Sequence, residues 1–380
     1  MHAARYQTRK AIQNPISLIR QRPSGTFRLN QLRRHLSLAS KPATCAMDGH
    51  DYMRAVQLNE TGGAELLKVS NIKVPAPGDD DVVIRNEFAG VNFIDTYHRT
   101  GLYPREKPFT LGVEGAGVLC GFGKNVDKSM FSSQTARVVY YGANTYAEYT
   151  VVNSNQVVEI PGDITSDIAV TCVTQGMTAH YLACSTFALG PGHSCLVHAA
   201  SGGTGQLLVQ IAKIRGAKVI GTCSKAKVRV AQNAGADVVL PYNELSSEEI
   251  IRGVKRETDG MGVDVAYDGV GASTWEISLD SLKRRGFCVL FGNASGPVPP
   301  IDPLVLNAKG SLFLTRPKLY DYIDTREQLC ERMEDLFRWV REGKLRFNIQ
   351  KVFELEQAQQ AHEFLESGKT EGKVLLKVFN

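Results

Sequence analysis

Residues 195–205 read CLVHAASGGTG, an apolar run that passes directly into a glycine-rich turn. The residues that follow, as far as Arg215, space Leu207, Leu208 and Ile211 along one face of a helix. A strand that leads through glycines into a helix is the first half of a dinucleotide-binding unit. Ala200 stands where the usual fingerprint has its first glycine, so the turn alone is weak evidence of dinucleotide binding. Other parts of the sequence have to support that function.

The sequence before this turn and the sequence after it predict different orders of secondary-structure elements. After the turn, strands are predicted at residues 218–221, 237–240, 263–268 and 287–292, with helical stretches between them. Such alternation predicts a doubly wound parallel sheet of the Rossmann type. Before it, short apolar runs broken by Gly and Pro indicate a β-rich unit, at residues 54–58, 66–69, 81–85, 138–141 and 146–152. A helix around 327–341 and a closing strand at 373–378 complete an α/β chain.

The N-terminal segment differs from the rest in charge. Residues 1–47 contain nine Lys or Arg and no Asp or Glu, so the net charge of +5 leaves −4 for residues 48–380. An Arg-rich, acid-free segment with scattered Ser and Thr is typical of a mitochondrial presequence. We therefore expect import into the mitochondrial matrix, or a cytoplasmic protein if residues 1–47 do not act as a presequence.

Composition narrows the possible partners. The mildly acidic body argues against nucleic acid as a partner, and no run approaches the ~20 apolar residues of a membrane-spanning helix. The eight cysteines form no Cys-x-x-Cys pair, which argues against a structural zinc site and a disulfide framework.

The glycine-rich turn predicts the cofactor. Residues without side chains let backbone N–H groups approach a pyrophosphate at a helix N-terminus. The second strand ends in Gly221, Thr222, Cys223, Ser224 and Lys225, without the acid that usually binds the ribose 2′-hydroxyl of NAD. Hydroxyl and ammonium donors suit a 2′-phosphate instead, so the sequence favours NADPH.

Several longer segments carry a resemblance to a known family. They are AGVNFIDTY at 89–97, GLYP at 101–104, LKRRG at 282–286, FGNASG at 291–296 and TRP at 315–317. With the glycine-rich turn, these segments resemble the quinone oxidoreductases related to ζ-crystallin, in the medium-chain dehydrogenase/reductase superfamily. The resemblance implies a GroES-like catalytic domain from residues 53–173 and 319–380, a Rossmann domain from 174–318, a cofactor in the cleft and a homodimer.

The resemblance also implies site residues. Tyr97, Tyr103 and Asn92 are the candidate catalytic donors near the nicotinamide, with packing or cofactor support as an equally weighted role. Matched cofactor-binding positions are Phe93, Thr96, Tyr97, Thr178, Gly202, Gly203, Thr204, Gly221, Thr222, Ser224, Lys225, Tyr242, Phe291, Gly292, Asn293, Thr315 and Arg316.

Two places in the sequence indicate whether the chain has the ligands for a zinc ion. Zinc-dependent relatives have Cys where this chain has Asn92, and Gly-His-Glu where it has Gly112, Val113 and Glu114. Glu114 alone cannot build a tetrahedral zinc site, so we expect no zinc and a structural role for this residue.

The resemblance, with the NADPH-favouring residues, implies NADPH-dependent reduction of quinones or similar activated carbonyl and enone compounds, by hydride or single-electron transfer. A mitochondrial enoyl-thioester reductase is one alternative, which would share Tyr103 as a proton donor. The other is a ζ-crystallin-like protein that binds NADPH or RNA without a main enzymatic role.

Overall fold

The structure, a computed structural model, describes residues 51–379. These residues belong to one compact unit. The targeting segment expected at residues 1–47 lies outside the described residues, so mitochondrial import stays a prediction. The strands are β1 (Tyr52–Leu58), β2 (Val69–Lys73), β3 (Asp81–Val91), β4 (Phe109–Thr110), β5 (Glu114–Phe122), β6 (Arg137–Tyr141), β7 (Tyr149–Asn153), β8 (Val157–Glu159), β9 (Ser194–Val197), β10 (Lys218–Cys223), β11 (Val238–Pro241), β12 (Val263–Asp268), β13 (Leu282–Leu290), β14 (Phe313–Thr315), β15 (Ile349–Glu354) and β16 (Lys373–Lys377).

Helices connect and cover these strands. The α-helices are α1 (Phe93–Thr100), α2 (Ser166–Thr171), α3 (Met177–Tyr181), α4 (Gly203–Ile214), α5 (Val228–Asn233), α6 (Ser247–Arg256), α7 (Trp275–Asp280), α8 (Leu304–Ala308), α9 (Arg326–Arg341) and α10 (Ala358–Glu366). Short 3-10 turns lie at Ala64–Leu66, Lys128–Met130, Ser154–Gln156, Lys225–Lys227, Leu319–Tyr322 and Leu355–Gln357. Two π-helical turns, Cys172–Gly176 and Leu182–Thr186, follow α2 and α3.

The first large sheet is parallel and confirms the Rossmann prediction. Its six strands lie in the order β11-β10-β9-β12-β13-β14, the doubly wound order in which the chain runs outward from β9 in both directions. The order reverses between β9 and β12. Ligands of such sheets bind at the carboxyl ends of the strands beside this reversal. The glycine-rich turn follows β9 and therefore lies at that edge.

The second large sheet belongs to the GroES-like part of the fold. Its backbone order is β15-β16-β3-β5-β6-β8, and β7 pairs with β3. The long strand β3 thus contacts β16 near the C-terminus as well as β5 and β7. Strands from before and after the parallel sheet in the chain build this sheet, and β1, β2 and β4 form a separate three-stranded sheet. The division into domains at 53–173, 174–318 and 319–380 stays a prediction.

A continuous apolar core joins the two sheets. Val139 from β6, Val197 from β9 and Leu336 from α9 belong to the same buried cluster, together with the helical segment that includes α2 and α3. Within residues 51–379, none of the helices combines the length and the apolar character that crossing a membrane requires.

Three predicted strands differ in extent from the observed ones. In the run 66–69, Leu66 is the last residue of a 3-10 turn, and β2 begins only at Val69. The run 146–152 forms strand only from Tyr149 onward, in β7, and before it Ala147 approaches β1 through an isolated bridge with Ala55. The strand expected at 195–199 stops at Val197, because Ala199 adopts a left-handed conformation (φ 52°) that turns the chain toward α4.

The orientation of α1 depends on buried polar groups. Asp95, fully buried, accepts the backbone N–H of Asn92 at 2.8 Å and the phenol of Tyr146 at 3.0 Å. The Tyr146 oxygen also lies 3.2 Å from Nε2 of His362, whose Nδ1 lies 3.2 Å from Nη1 of Arg99. Burial raises the pKa of Asp95 to about 7 and lowers the pKa of His362 to about 3.

These pKa values predict a pH-dependent stability difference between the natural chain and D95N. Because the folded pKa of Asp95 lies above its unfolded value, its contribution is present at low pH and is lost as pH rises from about 4 to about 7. The neutral amide has no such loss. The free energy of unfolding of D95N should therefore gain roughly 2–4 kcal/mol relative to the natural chain across this range.

Urea denaturation at a series of pH values measures this difference. The opposing contribution of His362, which grows as pH rises, is present in both proteins and cancels in the comparison. D324N, which changes an exposed carboxylate, serves as the control and should follow the natural chain. Parallel stability curves for D95N and the natural chain would contradict the burial of a titrating Asp95.

Candidate active site

The glycine-rich turn is closely packed against backbone and against the side chain of Gln175. A Cβ atom at Gly205 would lie 2.1 Å from the carbonyl oxygen of Ala199, and one at Gly203 would lie 2.4 Å from the amide oxygen of Gln175. Gly202 is extended and precedes α4, whose N-terminal N–H groups face the carboxyl edge of the parallel sheet. Thr204 follows in the first turn. This arrangement is suited to a bound pyrophosphate.

At the end of β10, the fold adds an acidic side chain that the local sequence does not contain. Gly221 and Thr222 are buried, and the Thr222 hydroxyl lies 2.9 Å from Nδ1 of His198. Ser224 is half-buried, and Lys225 is exposed. The sequence has no acid at this strand end, yet the fold brings Oε2 of Glu244 to 2.8 Å from Nζ of Lys225.

Two further residues near this end are located by the fold. Tyr242 follows β11 and is 55% exposed, so its ring is open to a ligand. Lys227, beyond Lys225 in the sequence, donates from Nζ to the carbonyl oxygens of Gly368 at 2.6 Å and Thr370 at 2.8 Å. Its ammonium group therefore holds the loop before β16 against the nucleotide-binding sheet.

Two tyrosines and two residues that follow strands of the parallel sheet form a polar cluster. The backbone N–H of Asn293 donates to the phenol oxygen of Tyr97 at 3.0 Å, and its side-chain amide donates to that of Tyr103 at 3.3 Å. Arg316 donates to Tyr103 at 3.2 Å and to the carbonyl of Gly292 at 2.8 Å. The two rings meet edge to face, with centroids 5.2 Å apart. The predicted residues 97, 103, 293 and 316 thus come together.

The phenols in this cluster have free hydrogens. Both protein partners of the Tyr103 oxygen are donors, so its own hydrogen stays available to an acceptor in the cleft. Burial raises the pKa of Tyr97, and the N–H of Asn293 partly offsets this effect. Arg316 is a basic neighbour of Tyr103 that no sequence proximity indicated, since it lies on the other sheet.

Close packing surrounds the predicted nicotinamide end. A Cβ at Gly292 would lie 2.2 Å from the carbonyl oxygen of Gly269, and a Cβ at Gly269 would lie 2.9 Å from the ring of Phe291. A side chain at Gly269 would therefore require the Phe291 ring to shift. Thr315 ends β14, directly before Arg316.

The remaining predicted cofactor positions lie on helices. Phe93 and Thr96 belong to α1, and the Thr96 hydroxyl donates to the carbonyl of Phe93 at 2.7 Å. Thr178 lies half-buried on α3, immediately after a π-helical turn. Such turns often occur near functional sites.

Asn92 lies in a buried ionic cluster. Its Nδ2 donates to Oε1 of Glu114 at 2.6 Å, and its Oδ1 accepts from Nζ of Lys373 at 2.8 Å. Lys373 also pairs with Oε1 of Glu114, and both side chains are fully buried. The backbone N–H of Thr174, in the π-helical turn, donates to Oε2 of Glu114 at 2.6 Å.

This cluster limits what Asn92 can do. The second N–H of its amide is directed to the carbonyl of Gly90 at 3.4 Å, so the amide makes protein contacts on every side. Its catalytic role stays a prediction that this geometry does not favour, and the two phenols are the better placed donors. Sequence reasoning missed Lys373, because a Lys at the start of an apolar strand carries no signal of its partner.

Comparison with known proteins gives the family. The quinone oxidoreductase of Salmonella typhimurium is 39% identical over 328 residues, which cover 84% of this chain and 98% of that relative. The probable quinone oxidoreductase of Schizosaccharomyces pombe is 38% identical over 325 residues, which cover 84% and 96%. The chain belongs to the quinone oxidoreductase family. The resemblance to this branch of the medium-chain dehydrogenase/reductase superfamily is therefore confirmed.

Family models and solved structures agree with this assignment. A model described as an alcohol dehydrogenase GroES-like domain matches residues 78–162, and one described as a zinc-binding dehydrogenase matches residues 203–334. The structure of Escherichia coli quinone oxidoreductase in complex with NADPH has a TM-score of 0.82 and 37% identity, and covers 86% of this chain and 100% of that chain. A mycobacterial structure in complex with NADPH has a TM-score of 0.83 and 40% identity, with the same coverage.

The family model for residues 203–334 is described as zinc-binding, but the side chains of this chain do not fit a zinc ion. Asn92 supplies a neutral amide, Val113 supplies no donor, and Glu114 is occupied by Lys373 and by the N–H of Thr174. In the described part of the chain, no group of three or more His, Cys, Asp or Glu side chains is arranged to hold a metal ion. Zinc sites need several such ligands.

Proposed function

We propose that this chain is an NADPH-dependent, zinc-independent reductase of quinones and similar activated carbonyl or enone compounds. The observation that carries the proposal is the pair of phenols, Tyr97 and Tyr103, held by Asn293 and Arg316 beside the carboxyl edge of the parallel sheet. Neutral hydrogen-bond donors at this edge are what a substrate oxygen requires while its carbon accepts a hydride.

The cofactor assignment rests on the chain's own residues and on its relatives. Gly202, Gly203 and Thr204 would hold the pyrophosphate, and Ser224 and Lys225 would hold the 2′-phosphate. Two similar proteins, from Escherichia coli and from a mycobacterium, were solved in complex with NADPH. When bound, the reduced nicotinamide supplies the hydride.

Protein groups then have to orient and polarise the substrate. The free hydrogen of Tyr103 can donate to a carbonyl or quinone oxygen, and Arg316 stabilises the negative charge that develops there. A quinone is already a strong electrophile, so hydrogen bonding from neutral groups is sufficient. Metal-assisted polarisation is not required, in keeping with the amide of Asn92 and the Lys373–Glu114 pair at the positions discussed above.

Relatives also suggest the range of substrates. Besides the quinone oxidoreductases, the 2-haloacrylate reductase of a Burkholderia species is 34% identical over 330 residues, which cover 85% of this chain and 98% of that relative. Its name describes an alkene conjugated to a carboxylate, which supports activated alkenes as a second substrate class. A homodimer stays a prediction of the family resemblance.

Turnover and binding assays on the purified chain test the function. We expect tight NADPH binding, weaker NADH binding and turnover of 1,2- or 1,4-quinones or of a simple enone. Turnover confined to an enoyl thioester would favour the alternative of an enoyl-thioester reductase. Tight NADPH binding without turnover of any of these acceptors would overturn the proposed reductase and favour a binding protein.

The choice of NADPH depends on a balance between Lys225 and Glu244. K225A should raise the KM for NADPH about 10-fold or more, since a charge-assisted hydrogen bond to the 2′-phosphate is lost. E244Q should lower the KM for NADPH, because it removes a carboxylate that competes for the Lys225 ammonium. Neither variant should change the KM for NADH more than about twofold, since NADH has no such charge-assisted contact to lose.

Steady-state kinetics with both cofactors measures this effect, and K255A, on the exposed face of α6, serves as the control. Equal changes for NADPH and NADH in K225A would refute the 2′-phosphate contact.

Tyr103 is expected to donate to the substrate oxygen. Y103F removes the hydroxyl and should lower kcat roughly 10-fold with quinones and about 100-fold with less activated enones, which need more polarisation. Y320F, a change at an exposed tyrosine outside the cluster, is the matched control and should behave as the natural chain. An unchanged kcat for Y103F with both substrate classes would exclude this donor role.

A further inference from the structure

The buried face of α1 carries two residues that are bound by other parts of the chain. Asp95 and Arg99 lie four residues apart, and a helix turns by about 100° per residue, so they share one face. Tyr146 precedes β7 and His362 belongs to α10, and both contact this face. We call these four residues the clasp of α1. All four are nearly or fully buried.

The hydrogen bonds of the clasp have a single direction. A guanidinium group only donates, so Nδ1 of His362 accepts from Arg99. The neutral imidazole then carries its hydrogen on Nε2 and donates it to the Tyr146 oxygen. Tyr146 in turn donates to Oδ2 of Asp95. Burial and the Arg99 charge lower the pKa of His362 to about 3, which keeps the imidazole in this neutral form.

The first donor of the clasp, the guanidinium of Arg99, is held in place by other contacts. Its Nη1 and Nη2 make two parallel bonds of 2.8 Å to the carboxylate of Glu366, and its Nε donates to the carbonyl of Gly62 at 3.2 Å. Such a two-pronged pair fixes the plane of the guanidinium. At the other end, Asp95 accepts the N–H of Asn92 and so holds the first turn of α1.

The opposite face of α1 carries the site. Tyr97 is two residues after Asp95 and is therefore rotated by about 200° from it. Its oxygen accepts the N–H of Asn293, and its carbonyl accepts the N–H of Tyr103 at 3.1 Å. An eight-residue helix has little stability of its own, so its rotation depends on the contacts of its two faces.

We propose that Tyr146 and His362 are positioning residues for the reduction. With Asp95 and Arg99, they close a directional hydrogen-bonded clasp that fixes the rotation of α1 and thereby aims the phenols of Tyr97 and Tyr103 into the cleft. The inference rests on the proposed reductase function, but neither residue contacts the cluster of Tyr97, Tyr103, Asn293 and Arg316 directly.

A comparison of H362F with H362Q tests the clasp. Phenylalanine fills the space but removes the hydrogen bonds that His362 makes with Arg99 and Tyr146. Glutamine has one acceptor and one donor and can keep the same direction. We expect H362F to lower kcat for quinone roughly 10-fold or more, because small displacements of positioned groups are costly to the rate. H362Q should recover most of this loss. The KM for NADPH should change less than kcat in both, because the glycine-rich turn and the end of β10 lie outside the clasp, although Phe93, Thr96 and Tyr97 on α1 are predicted cofactor positions.

Matched controls separate positioning from stability. H193F changes a histidine outside the clasp and should keep the natural kcat, as should Y52F, which removes an exposed phenol. Thermal unfolding and size-exclusion chromatography establish the folded fraction to which each kcat is referred. A lower thermal midpoint with an unchanged kcat in H362F would mean a merely structural role and would overturn the proposal.

Y146F keeps the test decisive if H362F does not fold. It removes one hydroxyl and retains the ring, and it interrupts the clasp between His362 and Asp95. A folded Y146F with the natural kcat would overturn the proposal, whereas a reduced kcat with a smaller change in the KM for NADPH supports it. Absence of quinone and enone turnover in the natural chain would instead refute the reductase function itself, which is a separate outcome.

Discussion

The buried ion pair between Lys373 and Glu114 is the constraint on which the region around the site depends. A carboxylate removed from water is strongly destabilising unless a cation and hydrogen-bond donors surround it. Here Lys373, Asn92 and the N–H of Thr174 provide that surrounding. They come from the closing strand, from the residue before α1 and from a π-helical turn, so the pair joins three parts of the chain that must meet for the cleft to form.

From this pair outward, α1 links the two halves of the fold. Asn92 holds its beginning, the clasp holds its buried face, and Tyr97 on its opposite face contacts Asn293 after β13. Helix α1 and the segment after it thus supply the phenols, and the segments after β13 and β14 of the parallel sheet supply the groups that bind their oxygens. Chemistry at the cleft depends on both sheets, since neither contains the complete cluster.

Much of the fold was predictable because it depends on local patterns. The alternation of strands and helices after residue 195 predicted the parallel sheet, and the glycines of the turn are required by contacts as short as 2.1 Å. Strand limits were less predictable. Leu66 and Leu67 have the apolar character of a strand, but they lie in and after a 3-10 turn, because apolar side chains report burial and not backbone pairing.

For the site, the sequence by itself determined the residue types: a glycine turn of the kind suited to a phosphate, a β10 end without an acid, and Asn92 and Val113 where zinc-dependent relatives have ligands. Only the tertiary structure decided which groups meet. It brought Glu244 to Lys225, Arg316 to Tyr103, and Lys373 to Asn92. It also engaged the Asn92 amide in protein contacts, which does not favour a role as a donor to the substrate. The physical reason is that a motif fixes chemistry within a few residues. The charge and hydrogen bonds that tune each group come from strands and helices tens to hundreds of residues away.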